Sequence, residues 1–162
     1  MIEIRQVGPD DWKQLRATRL AALQDAPDAF ESTYESSLGI DEEEWRRRAA
    51  GNAVFLAFDG PDPVGMAIGF ADGQTRPGSR DLVSMWVAPT VRGRGVAGQL
   101  IDAVAEWARA DGAQELHLWV VLGNSSARAT YDRAGFVATS EQQPVRGVGQ
   151  RVEERMVLTL AR

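Results

Sequence analysis

The chain contains no cysteine and a single histidine among its 162 residues. That removes thiol nucleophiles, thiolate metal sites and redox switches together, and no metal centre is expected. No apolar run approaches the roughly 18 residues that a membrane span needs. The opening M-I-E-I-R-Q-V alternates apolar and polar residues, unlike the apolar core of an export signal. An excess of positive charge is also lacking: Lys+Arg 18 against Asp+Glu 23 leaves −5. That balance argues against sequence-independent binding to nucleic acid. The expectation is a soluble cytoplasmic protein with neither membrane nor nucleic acid as partner. Its mildly acidic surface leans toward cationic small molecules or basic peptide tails. What remains is ordinary globular composition, 44% hydrophobic and 25% charged, in a chain long enough to bury roughly two thirds of its unfolded surface. One domain over residues 1–162 is expected.

Periodicity divides the chain into elements. Ile2–Val7 alternates as a strand. Asp10 is a plausible N-cap for a helix running to about Gln24, which Asp25-Ala26-Pro27 stops. Two further amphipathic pieces follow, Phe30–Ser37 and Asp41–Ala50. The second begins with Glu42, Glu43 and Glu44 and ends with Arg46, Arg47 and Arg48, matching the helix dipole rather than marking a binding patch. The period then changes to two, predicting a hairpin of Ala53–Phe58 and Val64–Phe70 and, beyond a polar linker Ala71–Arg80, a strand Asp81–Val87 covered on both faces. Val96, Leu100, Val104 and Ala108 mark a helix Val96–Ala110 closed by Gly112. Strand Leu116–Leu122, helix Asn124–Arg133, and strands Val137–Glu141 and Gln150–Leu160 complete the chain. This order predicts an α/β fold with a mixed sheet. Most strands are antiparallel, the two flanking the long helix are parallel, and helices cover both faces.

The segment W-V-A-P-T-V-R-G-R-G-V-A, Trp86 to Ala97, joins a buried strand to the strongest helix. Glycines at a helix start let backbone N–H groups converge on an anion, aided by the helix dipole. Gly93 and Gly95 permit close approach, Ala97 is small, and Arg92 and Arg94 can supply charge-assisted bonds. Taken alone, the glycines fit a tight turn equally well, and they match neither the Walker nor the dinucleotide fingerprint.

A second block breaks that tie. Asn124-Ser125-Ser126-Ala127-Arg128-Ala129-Thr130-Tyr131-Asp132-Arg133-Ala134-Gly135-Phe136 resembles N-x-x-A-x-x-x-Y-x-x-x-G-F, and R-G-R-G-V-A resembles R/Q-x-x-G-x-G/A. Both are motifs of the GNAT family of N-acetyltransferases. The resemblance is firm over Asp81–Phe136 and rests on element order elsewhere. It implies acetyl transfer from acetyl-CoA to a primary amine of a small molecule or peptide. It further implies that Arg92, Gly93, Arg94, Gly95, Val96, Ala97 and Gly98 hold the pyrophosphate. Met85, Trp86 and Val87 would pair by backbone with the pantetheine arm, in a gap where the strand of Asp81–Val87 splays from that of Leu116–Leu122. Asn124 and Ala127 would line the arm, and Tyr131 would face the sulfur.

Forming an amide from a thioester requires a neutral amine, oxyanion stabilisation and a proton for the thiolate. Tyr131 shares a helix face with Asn124 and Ala127 at i, i+3 and i+7 and is the candidate acid. The oxyanion donor is expected among backbone N–H groups near Val87. The base stays open among Asp81, Ser84, Glu31, Glu35 and water. Relatives acting on ribosomal-protein termini carry a glutamate where this chain has Trp119, which counts against that subgroup. His117, between Leu116 and Leu118 on a buried-type strand, is expected to be a satisfied core residue. Phe30, Glu31, Tyr34 and Ser84 are the candidate acceptor contacts, and Phe30, Tyr34 and Trp45 could wall an aromatic pocket for a cation. A homodimer through the last strands of the sheet is expected. The alternative function is a non-catalytic acyl-CoA-binding module on the same fold.

Overall fold

The computed structural model describes residues 1–27, 30, 32–71, 76–145 and 150–160. Its elements run β1 (Ile2–Val7), α1 (Trp12–Asp25), α2 (Tyr34–Leu38), α3 (Glu42–Gly51), β2 (Ala53–Asp59), β3 (Asp62–Phe70) and β4 (Ser79–Val87). Then come α4 (Val96–Ala110), β5 (Glu115–Val121), α5 (Ser125–Ala134), β6 (Val137–Pro144) and β7 (Val152–Thr159). The strands form one seven-stranded sheet in the order β1-β2-β3-β4-β5-β7-β6. All neighbours are antiparallel except β4 and β5, which are parallel. This is the mixed α/β architecture that the periodicities predict. Among the described residues no helix is long and apolar enough to cross a membrane.

The central strands are apolar throughout because they feed two cores. On β2, Val54, Leu56 and Phe58 pack with Leu15, Trp45 and Ala49 of α1 and α3. The intervening Phe55 and Ala57 pack with Leu100, Ile101 and Val104 of α4 on the opposite face. A fully buried side chain of this kind contributes about 1.5–3 kcal/mol, so both layers are strongly held. Helix α4 reaches β3 closely because Gly69 leaves room for the Trp107 ring.

Several boundaries differ from expectation for local reasons. Asp11, not Asp10, precedes α1, because Pro9 starts a short 3-10 turn in which the Asp11 carboxylate accepts the Gly8 N–H. Helix α2 begins at Tyr34 rather than Phe30, since the Thr33 side chain caps it by accepting the Ser36 N–H. Strand β6 continues past Glu141 to Pro144. Val83 in β4 is exposed, so that strand is not covered on both faces. The largest difference is that β4 starts at Ser79, inside the supposed linker. Ser79 Oγ bonds the Arg76 carbonyl, and Arg80 pairs with Asp111 at the end of α4. Those polar anchors replace the apolar pattern that would have announced a strand.

The Gly69 contact sets a test of how tightly α4 is seated. A Cβ at Gly69 would fall 2.5 Å from Trp107 ring atoms. Gly69→Ala is therefore expected to lower unfolding stability by about 1–3 kcal/mol, read by urea denaturation at unchanged m. Wild-type stability would mean that the ring swings aside without loss.

Candidate active site

The site begins where the sheet fails to close. Strands β4 and β5 pair only at Ser79↔Glu115, Arg80↔Leu116 and Asp81↔His117. Beyond Asp81, β5 continues against β7 and β4 against β3. A bulge bends β4 there: Met66 opposes Trp86 and Ile68 opposes Val83, so Ser84 and Met85 together face Ala67. Ser84 carries φ 56, a left-handed conformation costing a non-glycine residue about 1–2 kcal/mol.

A cleft of about 800 Å³ occupies the opening. Met85, Trp86 and Val87 line it from β4, and Asn124, Ala127 and Tyr131 from α5. Arg92, Gly93, Gly95, Val96, Ala97 and Gly98 line it from the loop and the start of α4. The structure thus brings the sequence-predicted residues of both motifs together, except Arg94, which is exposed beside the cleft and has no partner among the described residues. Thr130, Ala134, Arg133 and Asp102 also line it and were missed. Helical spacing from Tyr131 and Ala127 would have found Thr130 and Ala134.

At the loop, Gly93 and Gly95 adopt φ 79 and 78. Gly95 is the N-cap of α4 and offers no side chain to satisfy the first-turn N–H groups. Cβ atoms built at Gly93, Gly95 and Gly98 would meet nothing within 4 Å. The result is an open, uncapped helix end of partial positive charge. Arg92 is engaged elsewhere. Its Nη2 bonds Asp25 Oδ2 at 2.5 Å and its Nε donates to the Val87 carbonyl at 3.0 Å. The same Asp25 oxygen accepts Trp86 Nε1–H at 3.0 Å. These bonds, that from Trp86 foremost and then those of Arg92, hold the Asp25 carboxyl below its usual range.

On α5, Asn124 is the N-cap, its Oδ1 accepting the Ala127 N–H at 3.1 Å. Only its amide N–H₂ is left for the cleft. Tyr131 is buried, edge-on to Phe136 with ring centroids 5.8 Å apart. Its hydroxyl has no hydrogen-bond partner among the described residues, yet it is not sealed from solvent. Burial pushes its pKa up to about 12, so the phenol keeps its proton throughout the physiological range.

The acceptor side departs from the sequence reading. Phe30 lines the cleft, but the cation over its ring is the protein's own: the Arg19 guanidinium carbon lies 4.6 Å from the centroid. Trp45 is 2% exposed and belongs to the core, while Tyr34 is half-buried and does not line the cleft. The expected aromatic cage for a foreign cation is therefore not formed. Ser84 Oγ accepts Arg19 Nη1–H at 3.0 Å, and a guanidinium on that oxygen makes it a poor base. Glu35 is exposed on α2, and Asp81 sits in the last rung of the parallel pair. Glu31 lies outside the described residues. His117 is buried, with Nε2 2.8 Å from Glu115 Oε1 and Nδ1 2.9 Å from Arg155 Nη1. A guanidinium can only donate, so Nδ1 accepts and the ring proton sits on Nε2, leaving the histidine satisfied and away from the cleft.

An acetyltransferase of the GNAT family from Streptococcus pneumoniae superposes with TM-score 0.83 at 20% identity, covering 99% of this chain and 100% of that one. A Salmonella typhimurium structure with its cofactor acetyl-CoA superposes with TM-score 0.77 at 18% identity, covering 99% and 94%. In sequence, an uncharacterised N-acetyltransferase of Methanocaldococcus jannaschii is 34% identical over 67 residues, 41% of this chain and 28% of the relative. One from Bacillus subtilis is 37% identical over 60 residues, 37% and 24%. The matching segment spans only about a quarter of the length of these curated relatives. The acetyltransferase (GNAT) family model, however, matches residues 19–136, most of the chain and both motifs, and the protein belongs to that family.

Proposed function

We propose that the protein is one N-acetyltransferase domain that transfers an acetyl group from acetyl-CoA to a primary amine. The observation that carries this reading is the uncapped, glycine-walled start of α4 opening into the same cleft as the Tyr131 hydroxyl. A diphosphate fits the first, with Gly93, Gly95, Val96, Ala97 and Gly98 offering backbone N–H groups and Arg94 charge. Arg92, which also lines the cleft, shapes the loop through its bonds to Asp25 and the Val87 carbonyl. An extended arm fits the parting of β4 and β5, with Met85 to Val87 presenting backbone and Asn124 its amide. When bound there, acetyl-CoA supplies a thioester carbon for amine attack. The chain's own share is to align that carbon, exclude water, and hold a proton at Tyr131 Oη where the sulfur departs. A phenol near 12 is a weaker acid than a thiol near 8.5, so Tyr131 acts by donating a hydrogen bond to the developing thiolate more than by full transfer. Among the described residues no side chain stands out as base, which leaves deprotonation of the amine to water or to Asp81, Glu31 or Glu35.

Acetyl-CoA is expected to raise the melting temperature of the wild type and not of Gly95→Glu. The carboxylate would enter the anion site, whereas Gly95→Ala, the control, adds only backbone strain at φ 78. Stabilisation that survives in Gly95→Glu would place the phosphates elsewhere. Binding of CoA without thiol release over a broad amine panel would favour the non-catalytic module.

Tyr131→Phe keeps the ring and loses the hydroxyl. Turnover is expected to fall about ten- to a hundredfold, with KM for acetyl-CoA nearly unchanged. Because the phenol stays protonated below about 12, the rate should rise with pH as the amine deprotonates and show no alkaline loss from this residue. Unchanged turnover, or loss of CoA binding, would make Tyr131 structural.

A homodimer is proposed through the outer edge of the sheet, where β6 is exposed. Sedimentation equilibrium at micromolar concentration is expected to give twice the chain mass, and a monomer mass would end the idea.

A further inference from the structure

We propose that the acceptor carries a carboxylate beside its amine and that Arg19 binds it at the Ser84 bulge, making small amino acids and related amino-carboxylates the substrate class. This rests on the acetyl-transfer reading. Arg19 is half-buried on α1 and touches no carboxylate among the described residues. Its nitrogens donate to two neutral oxygens, Ser84 Oγ and Ser32 Oγ, each at 3.0 Å. The arginines of α3 and those at 92, 128 and 155 each meet an acid. Arg48 adds like charge near Arg19, and burial with that repulsion lowers the Arg19 pKa to about 10. A desolvated charge with no counter-charge among the described residues is costly, and a ligand anion relieves that cost.

The arrangement is also pre-oriented. Two serines from separate segments pin Nη1 and Nη2, and the Phe30 ring supports the guanidinium face. The remaining N–H groups keep the planar fork that suits a carboxylate. Ser84 holds its position only through a strained φ of 56, strain of the kind that ligand sites retain. Phe30, whose ring lies against Arg19, and Met85, the neighbour of Ser84, line the cleft that Tyr131 also lines, so the anion site adjoins that volume although Arg19 and Ser84 do not themselves line it. A fixed cation beside the acceptor ammonium also favours loss of its proton, which eases the want of a dedicated base.

The experiment offers the protein acetyl-CoA with matched pairs, each an amino acid and the amine left when its carboxyl is removed, and follows thiol release. The carboxylate-bearing member is expected to win by about ten- to a hundredfold in kcat/KM, the worth of one charged hydrogen-bonded contact. Arg19→Gln should erase that preference by raising KM for the carboxylate member alone. Ser84→Gly, a second variant in case the first folds poorly, should weaken the preference while raising the melting temperature by relieving strain. Equal rates within pairs, preference for the decarboxylated member, or an equal loss on both members in the variants overturns the assignment. Thiol release confined to amines lacking a carboxylate overturns it while leaving acetyl transfer standing. The absence of both thiol release and CoA-induced stabilisation ends both.

Discussion

Everything functional in this molecule depends on two strands that start parallel and then part. Parallel pairing of β4 with β5 lasts through Asp81 and no further. Continued pairing would seal the sheet and leave no cleft. Each strand is instead held by its outer neighbour, β4 by β3 and β5 by β7. The open sheet centre is therefore flanked by two rigid halves, a condition for placing groups on opposite walls with constant separation.

The same parting distributes tasks between the layers. Helix α4 covers one face and brings its bare N-terminus to the mouth of the opening. Helix α1 covers the other and brings a guanidinium to the bulge. Helix α5 reaches in from the β5 side with Asn124 and Tyr131. Positive charge thus borders the cleft at two places although the chain is net acidic at −5. Overall charge, which leaned toward cationic partners, says little about a site whose field is set by a few desolvated groups.

What the sequence disclosed was local. The glycines before α4 and the Asn124–Phe136 block are contiguous, and each carries its geometry in its own spacing. The continuous apolar run of β2 and the stripe on α4 likewise announce their elements. What it concealed was long-range or polar. Arg19 and Ser84 stand 65 residues apart, and nothing near either suggests the other. The start of β4 was invisible because Ser79 and Arg80 are held by a turn carbonyl and by Asp111 rather than by apolar packing. Phe30, Tyr34 and Trp45 read alike as aromatics on amphipathic pieces, and only tertiary burial sends Trp45 to the core while leaving Phe30 at the cleft.

The Asp25 carboxylate joins the end of α1, the indole of β4 and the loop before α4 through a single oxygen. The β4 wall of the cleft and the loop before α4 are therefore fastened to α1 by one titratable pin. Its folded pKa lies below the ordinary 3.8, so the stability it lends is complete above that value and drains away as pH falls through the lower folded one. Acid consequently loosens the indole and the Arg92 loop in one event, on the β4 side of the cleft.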